Sequence, residues 1–167
     1  IVEIRYKNNI IPKIKEALLK LPNVKMIEIK NSTNCCSNML WRFLPAFEKN
    51  NVVIVRDCDS RFSIQEYYCI KLWLESDKDF HIIRWGHKKY KIAGGAWGCR
   101  NGILEPFKKK ILNYEKNPNY GYDIEFLENT VYEHVKDKSF INCDGLACKG
   151  NKNKFPIYKN SQYEGDN

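Results

Sequence analysis

Two carboxylates one residue apart, Asp57 and Asp59, follow the run Val52–Val55 in the segment VVIVRDCDSR. Four consecutive β-branched apolar residues read as a buried strand. An acid–x–acid triplet at a strand end converges on one point where the chain turns, and it presents only oxygen. That donor type suits a hard divalent cation with positions left open for phosphate. The expectation is that Asp57 and Asp59 hold such a cation and that the cation holds a diphosphate. Asp and Ser are also ordinary residues of a turn after a strand, so the surrounding chain has to weigh in.

The totals bound the setting. A chain of 167 residues fits one domain, here 1–167, with a real core. It is 43% hydrophobic and 13% aromatic, which argues for a globular protein over a disordered one. The formal net charge is +8 and the lysines are dispersed, apart from Lys108-Lys109-Lys110. Diffuse positive charge favours anionic partners without choosing among them, and most of these lysines read as solvated surface. The seven cysteines are odd in number, form no CxxC pair and give no legible zinc framework. A reducing compartment is the simpler expectation. No apolar run reaches the ~20 residues of a membrane span, and no signal peptide is legible. The expected location is cytoplasmic or peripheral to a membrane.

The elements that must position the carboxylates follow in order. Ile1–Tyr6 reads as a strand. Pro12 opens a helix to Leu21, with Ile14, Ala17, Leu18 and Leu21 at helical spacing. Val24–Ile29 alternates as a second strand does. Asn38–Lys49 reads as a helix despite Pro45, and Arg42 lies within it. The strand before Asp57 comes next. This β-α-β-α-β order predicts an α/β fold with a mostly parallel sheet, whose ligands bind beyond the carboxyl ends of strands. Ser63 and Glu66 predict a capping box for a helix over 64–74. Phe80–Trp85 is a further strand. Ile92–Gly98, IAGGAWG, is strand-like, and its glycines permit close approach of backbone to a ligand. Its spacing fits neither a Walker loop nor a dinucleotide fingerprint. Ile103–Tyr114 reads as a basic amphipathic helix, Asp123–Val135 as another helix, and Ser139–Asn142 as a short last strand before Cys143-Asp144.

Several motifs occur together in one order: WRFLPAF at 41–47, VRDCDSR at 55–61, EYYCIKLWLES at 66–76, FHIIRW at 80–85, IAGGAWG at 92–98, YGYDIEFL at 120–127, SFINCDG at 139–145 and FPIYKNSQYEG at 155–165. Together they resemble GT-A-type glycosyltransferases, similar to the sugar transferases of large DNA viruses and bacteria. The resemblance spans nearly the whole chain, and WRF followed by RDxDSR is its most specific part.

The resemblance implies a GT-A-like (Rossmann-like) mixed, mostly parallel sheet flanked by helices, with the usual first strand lying upstream of Ile1. It implies Mn²⁺ or Mg²⁺ on Asp57 and Asp59, bridging the diphosphate of a UDP- or GDP-sugar. It implies that Arg42 contacts the donor, that Gly94, Gly95 and Ala96 lie against the sugar, and that Asp123 faces the sugar or acceptor. Relatives usually carry Asp-Gln there, where this chain has Asp123-Ile124-Glu125. Many relatives also place a His after the last strand as a third metal ligand. This chain has Cys143-Asp144, and a thiolate is a soft ligand that suits Mg²⁺ poorly, so three alternatives stay open: Asp144 substitutes, the metal is held by Asp57, Asp59 and phosphate alone, or metal binding is degraded.

The expected chemistry is glycosyl transfer to a glycan, lipid-linked or protein acceptor. Arg61 and Arg84, with His87 and Lys88, are candidates for stabilising the phosphates. Asp123 or Glu125 is the candidate base. No nucleic-acid partner is expected. The Lys-rich helix over 103–114 offers a peripheral contact to anionic lipid. Two other readings remain open: another metal-dependent phosphate enzyme, such as a nucleotidyltransferase or nuclease, and a degenerate, non-catalytic glycan-binding module.

Overall fold

The computed structural model describes residues 1–7, 10–30, 36–49, 52–85, 90–100, 102–114, 119–143 and 153–155. Strand β1 (Val2–Tyr6) pairs in parallel with β2 (Val24–Glu28), in the register Val2↔Val24 to Tyr6↔Glu28. Helix α1 (Pro12–Leu19) joins them and starts on its proline, whose missing N–H costs nothing in a first turn. The helix forms as its spacing predicts, yet none of its residues is buried.

The second sheet has five strands in the order β3 (Val52–Arg56), β5 (Ala96–Arg100), β4 (Phe80–Arg84), β6 (Ser139–Cys143) and β7 (Asn153–Lys154). Strand β5 runs antiparallel to both β3 and β4, while β6 runs parallel to β4 and β7 to β6. The fold is therefore mixed α/β with two small, partly parallel sheets, where one mostly parallel sheet was expected. The connection 85–95 contains no described helix, and an antiparallel neighbour needs none. Among the described residues β3 is an edge strand. Of its expected buried run only Val55 is buried, and Val52 and Ile54 are exposed.

Three helical expectations changed in detail. Residues Cys36–Phe47 form a 3₁₀ helix containing Pro45. A proline has no N–H to close an α-helical bond back to Trp41. The basic segment is split at Pro106 into a short 3₁₀ turn (Glu105–Phe107) and α3 (Lys108–Tyr114). The later helix runs as α4 (Tyr122–Phe126), a π-helical turn (Leu127–Val131) and α5 (Tyr132–Val135). The capping box forms as read: Ser63 N–H donates to Glu66 Oε2 at 2.8 Å and Glu66 N–H donates to Ser63 Oγ at 3.2 Å, opening α2 (Ile64–Leu74).

One face of the larger sheet carries an aromatic core. Trp97 stacks on Phe80, with centroids 5.5 Å apart, and lies 5.3 Å from Phe43, which meets Phe126 edge-on at 5.6 Å. Phe43 follows Arg42, and Phe126 lies one helical turn after Asp123. Burying these two rings against each other therefore brings Arg42 and Asp123 to the same side of the core.

On the opposite face α2 buries Cys69, Ile70 and Trp73. Trp73 stacks on His81 at 5.2 Å, and His81 Nε2 is 2.9 Å from Asn142 Oδ1. Burial lowers the His81 pKa to about 4, against the opposing pull of Asn142. The unfolded chain takes up this proton near pH 6.5 and the native protein only near 4. Stability is therefore full above about pH 6.5 and is lost as the pH falls toward 4, by ~3 kcal/mol from this group. Urea unfolding across that range should show the loss, and the double variant His81→Phe/Asn142→Leu should remove this part of it.

Candidate functional site

Strands β3 and β4 are both antiparallel to β5, so they point the same way. Their carboxyl ends and the start of β5 share one edge of the sheet. Asp57 follows β3, Gly94-Gly95 precede β5, and Trp85 follows β4. A cleft of about 630 Å³ opens along this edge, with Gly121 and Asp123 of the α4 turn on its wall.

The charged end of the cleft is built around Arg42. Its Nη1 donates to Asp57 Oδ1 at 2.8 Å and lies 3.7 Å from Asp123 Oδ2, while its Nε donates to Met39 O at 2.9 Å. The Asp57 side chain is 43% exposed and that of Asp123 only 4%. Burial raises the Asp123 pKa, opposed by Arg42 and by backbone N–H groups and assisted by the Asp57 charge.

The two glycines permit a close approach of the chain's own side chains to the backbone. A Cβ at Gly94 would lie 2.9 Å from both Arg42 Nη1 and Asp123 Oδ2. A Cβ at Gly95 would sit inside the Asp57 carboxylate and 2.7 Å from the Asp57 backbone N. The strand therefore starts only at Ala96, later than the pattern Ile92–Gly98 predicts, because the chain first crosses beneath these side chains. Trp97 Nε1 donates to Gly94 O at 3.0 Å and anchors the crossing in the core.

Arg42, Asp57, Arg61, Gly94, Gly95, Ala96 and Asp123 all line this one cleft. Asp59 is exposed on the turn after Asp57 and is not part of the lining. Glu125 is likewise exposed and outside the lining. Arg84 turns elsewhere: its Nε donates to Lys91 O at 2.8 Å, and its guanidinium lies 5.5 Å from the Tyr132 ring centroid. Asp144, His87 and Lys88 fall outside the described residues. Cys143 is disulfide-bonded, so its sulfur offers no thiolate to a metal. Free Cys69 and Cys99 are buried, and burial pushes each thiol up to about 12. Among the described residues no helix is long and apolar enough to cross a membrane.

Sequence reasoning passed over Arg56. Its Nη1 lies 2.6 Å from Glu66 Oε1 and donates to Gly95 O at 3.2 Å. One guanidinium thus ties the strand before Asp57 to α2 and to the glycine crossing. The available signal was an Arg ending an apolar strand, beside an acid that capping alone seemed to explain. Arg56→Ala leaves the Glu66 side chain, 6% exposed, without its cation. Breaking such a pair costs about 3 kcal/mol, and the urea midpoint should fall accordingly.

Carboxylate oxygen is the donor type a hard cation takes, although Asp57 Oδ1 already accepts from Arg42 Nη1 and Asp59 lies outside the cleft lining. Asp57 and Asp59 are both open to solvent, and phosphate or water completes such a shell readily. Among the described residues no three acidic, His or Cys side chains gather into a complete metal site. Comparison of the chain with protein-family models, with curated proteins and with solved structures returns no match.

Proposed function

We propose that this chain is a metal-dependent glycosyltransferase that moves a sugar from a UDP- or GDP-sugar to a glycan or lipid-linked acceptor. One observation carries the reading. Arg42, Asp57, Gly94, Gly95 and Asp123 come from four separate segments and meet in one cleft at the carboxyl ends of strands. The motif resemblance singles out those five residues for one task.

In this reading Asp57 and Asp59 hold Mn²⁺ or Mg²⁺. The cation, when bound, neutralises charge on the departing nucleoside diphosphate. Arg42 and Arg61 face the same end and stabilise that charge directly. Gly94 and Gly95 let the backbone pass directly against Asp57, Arg42 and Asp123 and so seat those side chains at the cleft. Asp123 takes the proton of the acceptor hydroxyl as its oxygen bonds to the sugar carbon and the bond to the diphosphate breaks. A desolvated carboxyl with a raised pKa is a stronger base than one in water. Asp123 is preferred to Glu125, which is exposed away from the cleft.

The rival reading as a two-metal phosphate enzyme needs further acids near Asp57. The further acids lining the cleft are Asp123, which already faces Arg42, and Glu66. Its Oε1 pairs with Arg56 and its Oε2 accepts the capping hydrogen bond, which leaves it poorly placed to serve a second cation.

The test is thermal unfolding with UDP, GDP and their sugars, each with Mn²⁺, with Mg²⁺ and with EDTA. One nucleotide should raise the midpoint in a metal-dependent way, by about 2.7 kcal/mol of stability at a hundred times Kd. If none shifts the well-folded protein, the reading falls.

A further inference from the structure

The cleft is chemically uneven along its length. Neighbouring strands lie about 4.8 Å apart, and β5 separates β3 from β4. The ends of β3 and β4 are thus roughly 10 Å apart along the sheet edge. Arg42, Asp57 and Arg61 occupy the β3 end. Trp85 closes the β4 end, and Tyr90 stands beside it, because Arg84 at the end of β4 binds Lys91 O. Tyr120 faces the cleft from the turn that leads into Asp123. Tyr120 is 89% exposed and Tyr90 47%. Tyr120 and Tyr90 thus present open ring faces along the cleft, and Trp85 beside them is half-buried and held edge-on by Phe155, with ring centroids 6.3 Å apart.

We propose that Trp85, Tyr90 and Tyr120 form the acceptor subsite and that it takes a pyranoside. This rests on the transferase reading for its name, and on the rings for its chemistry. A pyranose presents one face of C–H bonds, which packs on an aromatic ring. Its rim of hydroxyls can use the tyrosine O–H groups and Asp123. The anionic half of the donor belongs with the arginines at the other end, so the aromatic end is left for the neutral partner. An acceptor hydroxyl held there lies next to Asp123, the proposed base. A saccharide or glycolipid headgroup therefore fits better than a protein side-chain acceptor, which offers no ring face.

Trp85 supplies a reporter. Of the four tryptophans, Trp41, Trp73 and Trp97 are at most 5% exposed, so acrylamide quenching reads Trp85. The full chain is titrated with methyl glucopyranoside, methyl galactopyranoside, methyl mannopyranoside and chitobiose, without nucleotide. At least one should protect Trp85 saturably. Tyr120→Ala should weaken that sugar about fivefold or more, and Tyr120→Phe, which keeps the ring, should retain most of the affinity. Tyr120 is so exposed that neither change threatens folding. The UDP and GDP thermal shifts are measured on the same variants. Sugar protection lost in Tyr120→Ala supports the subsite even if no nucleotide binds, in which case the transferase reading alone fails. A nucleotide shift beside sugar binding that ignores Tyr120 and Tyr90→Ala overturns the subsite and leaves the transferase standing. Loss of UDP or GDP affinity in Tyr120→Ala, with no saccharide bound, also overturns it and makes the ring a base platform.

Discussion

On the proposed transferase reading, Asp57→Asn should keep the fold and lower sugar transfer by at least about a hundredfold. Asparagine retains the oxygen that accepts from Arg42 Nη1 at 2.8 Å, so the packing around the guanidinium survives. The change removes the negative charge that a divalent cation needs and that balances Arg42. The loss should appear in kcat with the urea midpoint nearly unchanged, and excess Mn²⁺ should restore part of it if the defect is metal affinity. Asp59→Asn, at an exposed position, should follow the same pattern. A variant that transfers sugar at the wild-type rate would remove Asp57 from the chemistry. A saccharide-binding protein without transfer would tolerate both substitutions.

Gly95→Ala should be nearly as damaging to transfer, for a steric reason. The added methyl would occupy the place of the Asp57 carboxylate. Either the carboxylate swings away and the Arg42 ion pair breaks, or the start of β5 moves. Overpacking of this kind costs about 2 kcal/mol, so the protein should also unfold at lower urea. Gly98→Ala is the control. Its Cβ would lie 3.0 Å from the Trp73 ring and from Val53 O, away from the cleft, and should lower stability while sparing kcat. Asp57→Asn and Gly95→Ala act on one group, so the double variant should lose little more activity than the worse single one. Full additivity would show that the glycine serves something other than Asp57.

The two substitutions mark where sequence reasoning was strong. An acid placed just after a β-branched run, and glycines at a point where a strand pattern weakens, are local signals. They need no knowledge of the partner to suggest a site at a strand end. Arg42 and Asp123 were harder. Each carries an ordinary local explanation, and the motif resemblance singled them out. Their meeting depends on Phe43 and Phe126 being buried edge-on against each other, which joins residues far apart in the chain. Arg84 was no more legible, since a strand-end position does not reveal that its guanidinium lies against Tyr132.

By itself the sequence determined the elements that depend on nearest neighbours: the strand before Asp57, the Ser63–Glu66 capping box, the proline-started helix α1 and the glycine pair. These follow from backbone preferences and short-range hydrogen bonds, which act within a few residues. Tertiary structure decided what depends on pairing and direction. It placed β5 antiparallel between β3 and β4, left β3 at a sheet edge, engaged Arg56 with Glu66, and set Trp85, Tyr90 and Tyr120 along the cleft that Asp57 opens. Strand order and the meeting of distant side chains are fixed by which surfaces bury one another, and no local pattern carries that information.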